Sequence, residues 1–229
     1  MTPRGPYAGT FSIAAADADC AGVAISTRMP AIGSLAVHVR AGAGAIATQA
    51  LINPLLGVDG LELLRTRSAG EALRELLAAD PGADTRQVIV VDRRGRAAAH
   101  TGDDTHPWRG HRVGRGFAVA GNMLVDGRTV DAMAEQFEAT EGEPLHERLL
   151  AALEAGQRAG GDRRGKQSAA LHVNNGAPHP YLDLRVDDHP DPVAELRRVH
   201  EVAKRELLPF VAALPTREDP LGTFHELLG

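Results

Sequence analysis

Four β-type runs open this chain with no helical period between them, and that constrains the fold more than any other stretch. Residues 10–17 (TFSIAAAD) and 21–28 (AGVAISTR) flank the turn-forming segment DADC at 17–20. Residues 34–39 (SLAVHV) and 43–50 (AGAIATQA) flank AGAG at 41–44. Strands joined by turns this short pair antiparallel, because a parallel neighbour needs a crossover of a dozen residues or more. The chain therefore starts as an antiparallel sheet rather than as a βαβ unit.

The remainder alternates in blocks. Leucine spacing of i, i+3 and i+4 predicts helices over 60–67 and 69–80. Strands are expected at 87–92 and 96–102 around Arg93-Arg94-Gly95, and at 114–124. Amphipathic helices follow at 129–140 and 144–160, strands at 166–173 and 181–187, and a last helix at 192–208 with proline in its first turn. The expected fold class is α/β of the α+β type: two mostly antiparallel sheets face to face, with helices on both outer faces. Aromatic residues are only 3% of the chain, so its core must be built from Ala, Val, Leu and Ile. We expect residues 1–9 to be a flexible leader or propeptide and 10–229 to be a single domain.

Composition removes several functions. A net charge of −5 without a Lys/Arg block gives no support to nucleic-acid binding. The lone Cys20 excludes an internal disulfide and a cysteine-based zinc site. No apolar run of about 18 residues is present, so no membrane partner is expected. The first residues lack a signal-peptide core, and a cytoplasmic location is expected.

Several stretches carry a family resemblance: TFSIAAAD (10–17), GVAISTR (22–28), GAGAIATQA (42–50), HTGDD (100–104), WRGH (108–111) and AGNML (120–124). ALEAGQRAGGDRRGKQSAAL (152–171) and DLRVDDHPDPVAELRR (183–198) continue it. In this order they resemble the DUF1028 family across roughly residues 10–200. That resemblance implies an N-terminal-nucleophile (Ntn) hydrolase-like fold, a four-layer αββα sandwich. It fixes the fold far better than the activity.

An enzyme of that kind attacks a carbonyl with the side chain of its first mature residue and uses the free α-amine, of pKa about 8, as base. Thr10 fits: it begins the first strand and follows Gly9. In other family members the TFSI motif often stands directly after the initiator Met. Here nine residues precede it, and cleavage between Gly9 and Thr10, a later translation start, or a threonine that is never freed are the alternatives. Thr10 is equally readable as an ordinary β-branched strand residue. Asn122 is a candidate oxyanion donor, Arg28 a candidate for positioning a carboxylate or lowering the α-amine pKa, and Ser168 a hydroxyl that can bond the nucleophile. Gln49 and Asn53 are candidates for lining a pocket, and Asp162 with Arg164 for shaping the substrate site.

These residues suggest an amidohydrolase acting on a small amide or related C–N bond. The alternative is a non-catalytic binder of small molecules on the same scaffold. A weaker reading places a metal at Asp183, Asp187, Asp188, His189 and Asp191, although the spacing matches no defined metal loop and Asp191 also reads as a helix cap. His100, His106 and His111 lack a supporting Cys or Glu pattern for zinc. Gly42, Gly44 and Ala47 match a dinucleotide fingerprint only by letter, since no helix follows them. No cofactor is called for. A homo-oligomer is expected on general grounds, with 207–215 (LLPFVAALP) available to an interface or to the core.

Overall fold

In a computed structural model of the chain, residues 9–17 and 19–224 are described. The leader expected over 1–9 lies, apart from Gly9, outside them. The order is β1 (Thr10–Asp17), β2 (Cys20–Thr27), β3 (Val37–Arg40), β4 (Gly44–Ala50), α1 (Pro54–Leu63), α2 (Ala69–Ala79), β5 (Arg86–Asp92) and β6 (Ala97–Thr101). Then come β7 (Gly110–Gly114), β8 (Phe117–Asn122), α3 (Arg128–Ala139), α4 (Leu145–Arg158), β9 (Ser168–Asn174), β10 (Leu182–Val186) and α5 (Pro192–Ala212).

The strands form two antiparallel sheets. One runs β10-β9-β2-β1-β8-β7 and the other β3-β4-β5-β6. The sheets face one another, α1 and α2 cover the smaller, and α3, α4 and α5 cover the larger. This is the four-layer sandwich expected from the element order.

Strand periodicity explains the layering. In β1 the side chains of Phe11, Ile13 and Ala15 enter a core with Met133, Leu149 and Leu153 of the helices. Ala14 and Ala16 point the other way and meet Ala45, Ala47, Ile89, Ala118 and Ala120 between the sheets. A third core joins Ile46, Val88 and Val90 to Leu61, Leu73 and Leu76 under α1 and α2. Strands buried on both faces read as continuous apolar runs, as β1 and β2 do. The edge strand β10 alternates buried and exposed residues instead.

Local chemistry fixes the helix ends. Asn53 caps α1 by accepting from Leu55 N, and Pro54 stands at the first helical position. The first helix therefore begins six residues before the periodicity suggests and ends at Leu63. Ser68 and Glu71 form a reciprocal capping box on α2. The strand expected at 114–124 is instead split: Gly114 ends β7, Arg115 and Gly116 (φ 81°) turn the chain, and β8 is the second arm of the hairpin. The last helix runs four residues past its expected end, through Pro209 to Ala212. Among the described residues, no helix is long and apolar enough to cross a membrane.

Leu149 of α4 is fully buried and reaches the space that a side chain at Gly22 of β2 would take. Leu149→Ala is expected to lower stability by about 2–5 kcal/mol in equilibrium denaturation, as large-to-small core changes do.

Candidate functional site

At one end of the inter-sheet layer the alanine core gives way to polar side chains. The parity of the strands puts them there. Thr10 and Ser12 share the face of Ala14, Gln49 that of Ala47, Gln87 that of Ile89, and Asn122 that of Ala120. Thr10 sits across the ladder from Thr27 on one side and Asn122 on the other. Gln49 and Gln87 are ladder partners in the facing sheet. All six of these polar side chains are buried.

Buried polar groups need partners, and these supply one another. Ser12 Oγ donates to Gln49 Oε1 at 2.7 Å, and Gln49 Nε2 donates to Gln87 Oε1 at 2.7 Å. Gln49 Nε2 also lies 3.5 Å from the Thr10 carbonyl oxygen. Asn122 Nδ2 donates to Gln87 Oε1 at 3.0 Å. Gln87 Nε2 in turn faces Thr101 Oγ1 at 2.8 Å and the Gly121 and Gly110 carbonyls at 2.9 and 3.1 Å. Gln87 is thus the hub of the network.

A second set of bonds surrounds the Gly9–Thr10 peptide. Thr10 Oγ1 donates to Thr27 Oγ1 at 3.2 Å, and Thr27 Oγ1 donates to the Gly9 carbonyl at 2.5 Å. Arg164 Nη2 reaches the same carbonyl at 3.0 Å. Asp162 aims that arginine: its Oδ2 accepts from Arg164 Nη2 at 2.6 Å and its Oδ1 from Arg164 Nε at 3.1 Å. Asp162 also accepts from the Arg164 and Arg28 backbone amides. The approach is so close that a Cβ on Gly9 would stand 2.7 Å from Asp162 Oδ1 and from Met123 Cβ. Only glycine fits ahead of Thr10.

A cavity of about 210 Å³ adjoins this end of the layer, lined by Ala50, Leu51, Thr85, Asp104, Thr105, His106 and Asn122. Asn122 belongs both to the cavity wall and to the network beside Thr10. Two non-glycine residues here adopt left-handed backbone, Ala50 at φ 68° and Met123 at φ 52°. Such conformations are uncommon and gather at functional sites. Backbone bonds from Met123 N to His106 O and from Leu124 N to Trp108 O hold the 106–108 segment beside it. Burial, with His100 nearby, lowers the pKa of His111, whose Nδ1 lies 2.8 Å from Thr101 Oγ1.

Of the residues singled out from sequence, Thr10, Gln49, Asn122, Asp162 and Arg164 converge here. Three do not reach the nucleophile. Ser168 Oγ donates to the Met29 carbonyl at 2.5 Å and accepts from Ile32 N at 3.2 Å, so it secures the chain after β2. The Arg28 guanidinium bonds Gln167. Asn53 caps α1 and donates to Asp80 at 3.3 Å.

The aspartate-rich segment is a clasp. Asp188 accepts from Gln167 and Asp191 from Lys166, which ties it to the 162–167 loop. His100 bonds the Ala83 carbonyl and His111 bonds Thr101, so the structure does not assemble these histidines as a ligand set.

Thr27 and Gln87 carry much of the geometry and went unnoticed in the sequence. The available signal was parity: each is a polar residue on the inward face of an otherwise apolar strand.

Two expectations follow. Gln87→Leu leaves the Gln49 and Asn122 amides without their acceptor and is expected to cost about 2–4 kcal/mol in equilibrium denaturation. Asp80 supports the cavity wall through Arg86, which donates to Asp80 at 2.9 Å and to the Leu51 carbonyl at 2.7 Å. The hydrogen bond from Arg86 holds the Asp80 carboxyl at about 2, below its ordinary 3.8. A depressed carboxyl pKa contributes stability that is complete above the unfolded value and lost as pH falls through the folded one. Melting temperature is therefore expected to decline between pH 3.8 and about 2, and the gap between parent and Asp80→Asn to close over that window.

The comparisons with known proteins agree with the motifs. A family model described as a family of unknown function, DUF1028, matches residues 10–196. The chain is similar to protein SPO2555 from Silicibacter pomeroyi, a DUF1028 protein with a crystal structure, at 30% identity and a TM-score of 0.84. The match covers 93% of this chain and 98% of that one. No curated protein matches the chain. With more than half of its residues matched by the family model, and a solved DUF1028 structure superimposing on nearly its whole length, this chain belongs to the DUF1028 family.

Proposed function

We propose that the protein is an Ntn-type amidohydrolase acting on a small amide or related C–N bond, with Thr10 as nucleophile once residues 1–9 have left. One observation carries the reading: the Thr10 hydroxyl, the Thr27 hydroxyl and the Gly9 carbonyl form one hydrogen-bonded chain, and Arg164 bonds the same carbonyl.

That arrangement suits cleavage of the chain's own peptide. Thr10 Oγ1 attacks the Gly9 carbonyl carbon and forms a C–O bond. Negative charge gathers on the carbonyl oxygen, where Thr27 and Arg164 already donate; preorganised donors of this kind lower such barriers. The C–N bond breaks, and the threonine nitrogen takes the hydroxyl proton to become a free amine. Water then hydrolyses the Gly9 ester, releasing residues 1–9 as an acid and restoring the hydroxyl.

The departed carbonyl leaves its donors behind. A substrate carbonyl placed there meets the same Thr27 and Arg164 groups, within reach of the Thr10 hydroxyl. The new amine, of pKa about 8, serves as base near neutral pH. Asn122, held by Gln87, stands between this point and the 210 Å³ cavity. A cavity of that size favours a small substrate.

The close fit of Gly9 against Asp162 and Met123 favours a second reading, in which the leader stays and the protein binds a small molecule without turning it over. While that peptide is intact, the threonine nitrogen is an amide and has no basicity.

Mass spectrometry of the purified chain separates the two. The hydrolase reading expects a mature terminus at Thr10, retention of residues 1–9 in Thr10→Ala, and cleavage slowed roughly 10²–10³-fold in Arg164→Ala, the usual effect of removing an oxyanion donor. An intact Met1 terminus on protein that hydrolyses an amide rejects this mechanism, and an intact terminus with ligand binding but no turnover leaves the binder.

A further inference from the structure

Beside the apolar core to which α4 and α5 both contribute, their contact carries ionisable side chains. His146, Glu147 and Glu154 come from α4; Arg197, His200, Glu201 and Lys204 come from α5. Two of these are nearly sealed from solvent, His200 at 0% exposure and His146 at 8%. Their rings meet directly, His146 Nδ1 lying 2.8 Å from His200 Nε2.

A single proton can occupy that line. If His146 donates, His200 carries its own hydrogen on Nδ1; if His200 donates, its Nδ1 is a bare lone pair. That Nδ1 lies on the far side of the ring, without a hydrogen-bond partner and 3.9 Å from Glu201 Oε1, so Nε2 is the His200 nitrogen that faces His146 and would face an ion. One donor atom from each of His146, Glu147 and His200 lies within 4.8 Å of the other two.

We propose that His146, Glu147 and His200 bind one divalent transition-metal ion of the zinc class, which pins α5 to α4. Two imidazoles and a carboxylate are a ligand set that such an ion accepts, with water or a turned Glu201 as the fourth group. Zinc–nitrogen bonds of about 2.0–2.1 Å place two ring nitrogens about 3.3 Å apart in a tetrahedral site. The present 2.8 Å separation therefore opens by about half an ångström as the ion replaces the shared proton.

The neighbouring cations do not block it. Glu147 accepts from Arg197 at 2.6 Å and from Lys204 at 2.7 Å, but each cation has a second carboxylate. Arg197 also bonds Glu154 at 2.8 Å, and Lys204 also meets Glu201 at 2.9 Å. Glu147 can thus turn one oxygen toward an ion without stranding either partner. Three carboxylates against two cations leave the cluster net negative while both imidazoles are neutral. The enclosure of His200 makes the role structural rather than catalytic.

The test uses the full chain, stripped with chelator and titrated with zinc alone. We expect one ion per chain by calorimetry and a melting temperature raised by about 5–10 °C at a hundredfold excess over Kd. His146→Gln and Glu147→Gln should each abolish the shift, while a His100→Gln/His111→Gln variant keeps it. Substituting Co²⁺ in the parent protein reports coordination without any mutation, and a four-coordinate visible spectrum is expected. Absence of stoichiometric zinc, an octahedral cobalt spectrum, or a shift that survives in both ligand variants would overturn the proposal.

Discussion

The close approach of the two sheets governs the rest of the molecule. Alanines at 14, 45, 47, 118 and 120 let the sheets meet through short side chains, and little room is left between them. Any polar side chain on those inner faces must find its partner within the layer. At the end where β1 begins, Thr10, Ser12, Gln49, Gln87 and Asn122 do so, and their bonds fix each other's positions closely. A buried network that is fully paired is rigid, because moving one member leaves another unsatisfied. That rigidity is what the role proposed for Thr10 requires.

The same economy is visible around Gly9. Asp162 is engaged by Arg164 and by two backbone amides, so Arg164 has little freedom to leave the Gly9 carbonyl. Thr27 approaches that carbonyl from β2 through an ordinary antiparallel register. Two donors from distant parts of the chain therefore meet on one oxygen through sheet pairing and a loop clasp. The left-handed backbone at Ala50 and Met123 lies at the ends of the strands that carry Gln49 and Asn122, where the chain turns away to form the cavity wall.

Several parts of this arrangement were legible beforehand. The hairpins of β1–β2 and β3–β4 and the block order follow from period-two and period-3.6 patterns, and the four layers fit that order and are what the family resemblance implies. Motif context singles out Thr10, Asn122, Asp162 and Arg164, which the fold brings to one end of the inter-sheet layer. Ser168 was misplaced because a hydroxyl at a strand start has many available partners, and here two backbone groups took it. Asn53 was drawn to a helix cap by the proline that follows it. Gln87 escaped notice because a single glutamine before an apolar run looks like a solvent-facing strand end until the facing sheet is in place.

Sequence by itself determined the family, the two-sheet architecture and the glycine–threonine junction at the head of β1, because periodicity, turn chemistry and contiguous motifs are local properties. Only the tertiary structure decided which polar residues meet: Gln87 with Asn122, Arg164 with the Gly9 carbonyl, His146 with His200. Those pairs are separated by 35, 155 and 54 residues, and no local pattern records them. They form because burial between sheets and helices removes water, and each polar group must then bond whatever the packing has brought within reach.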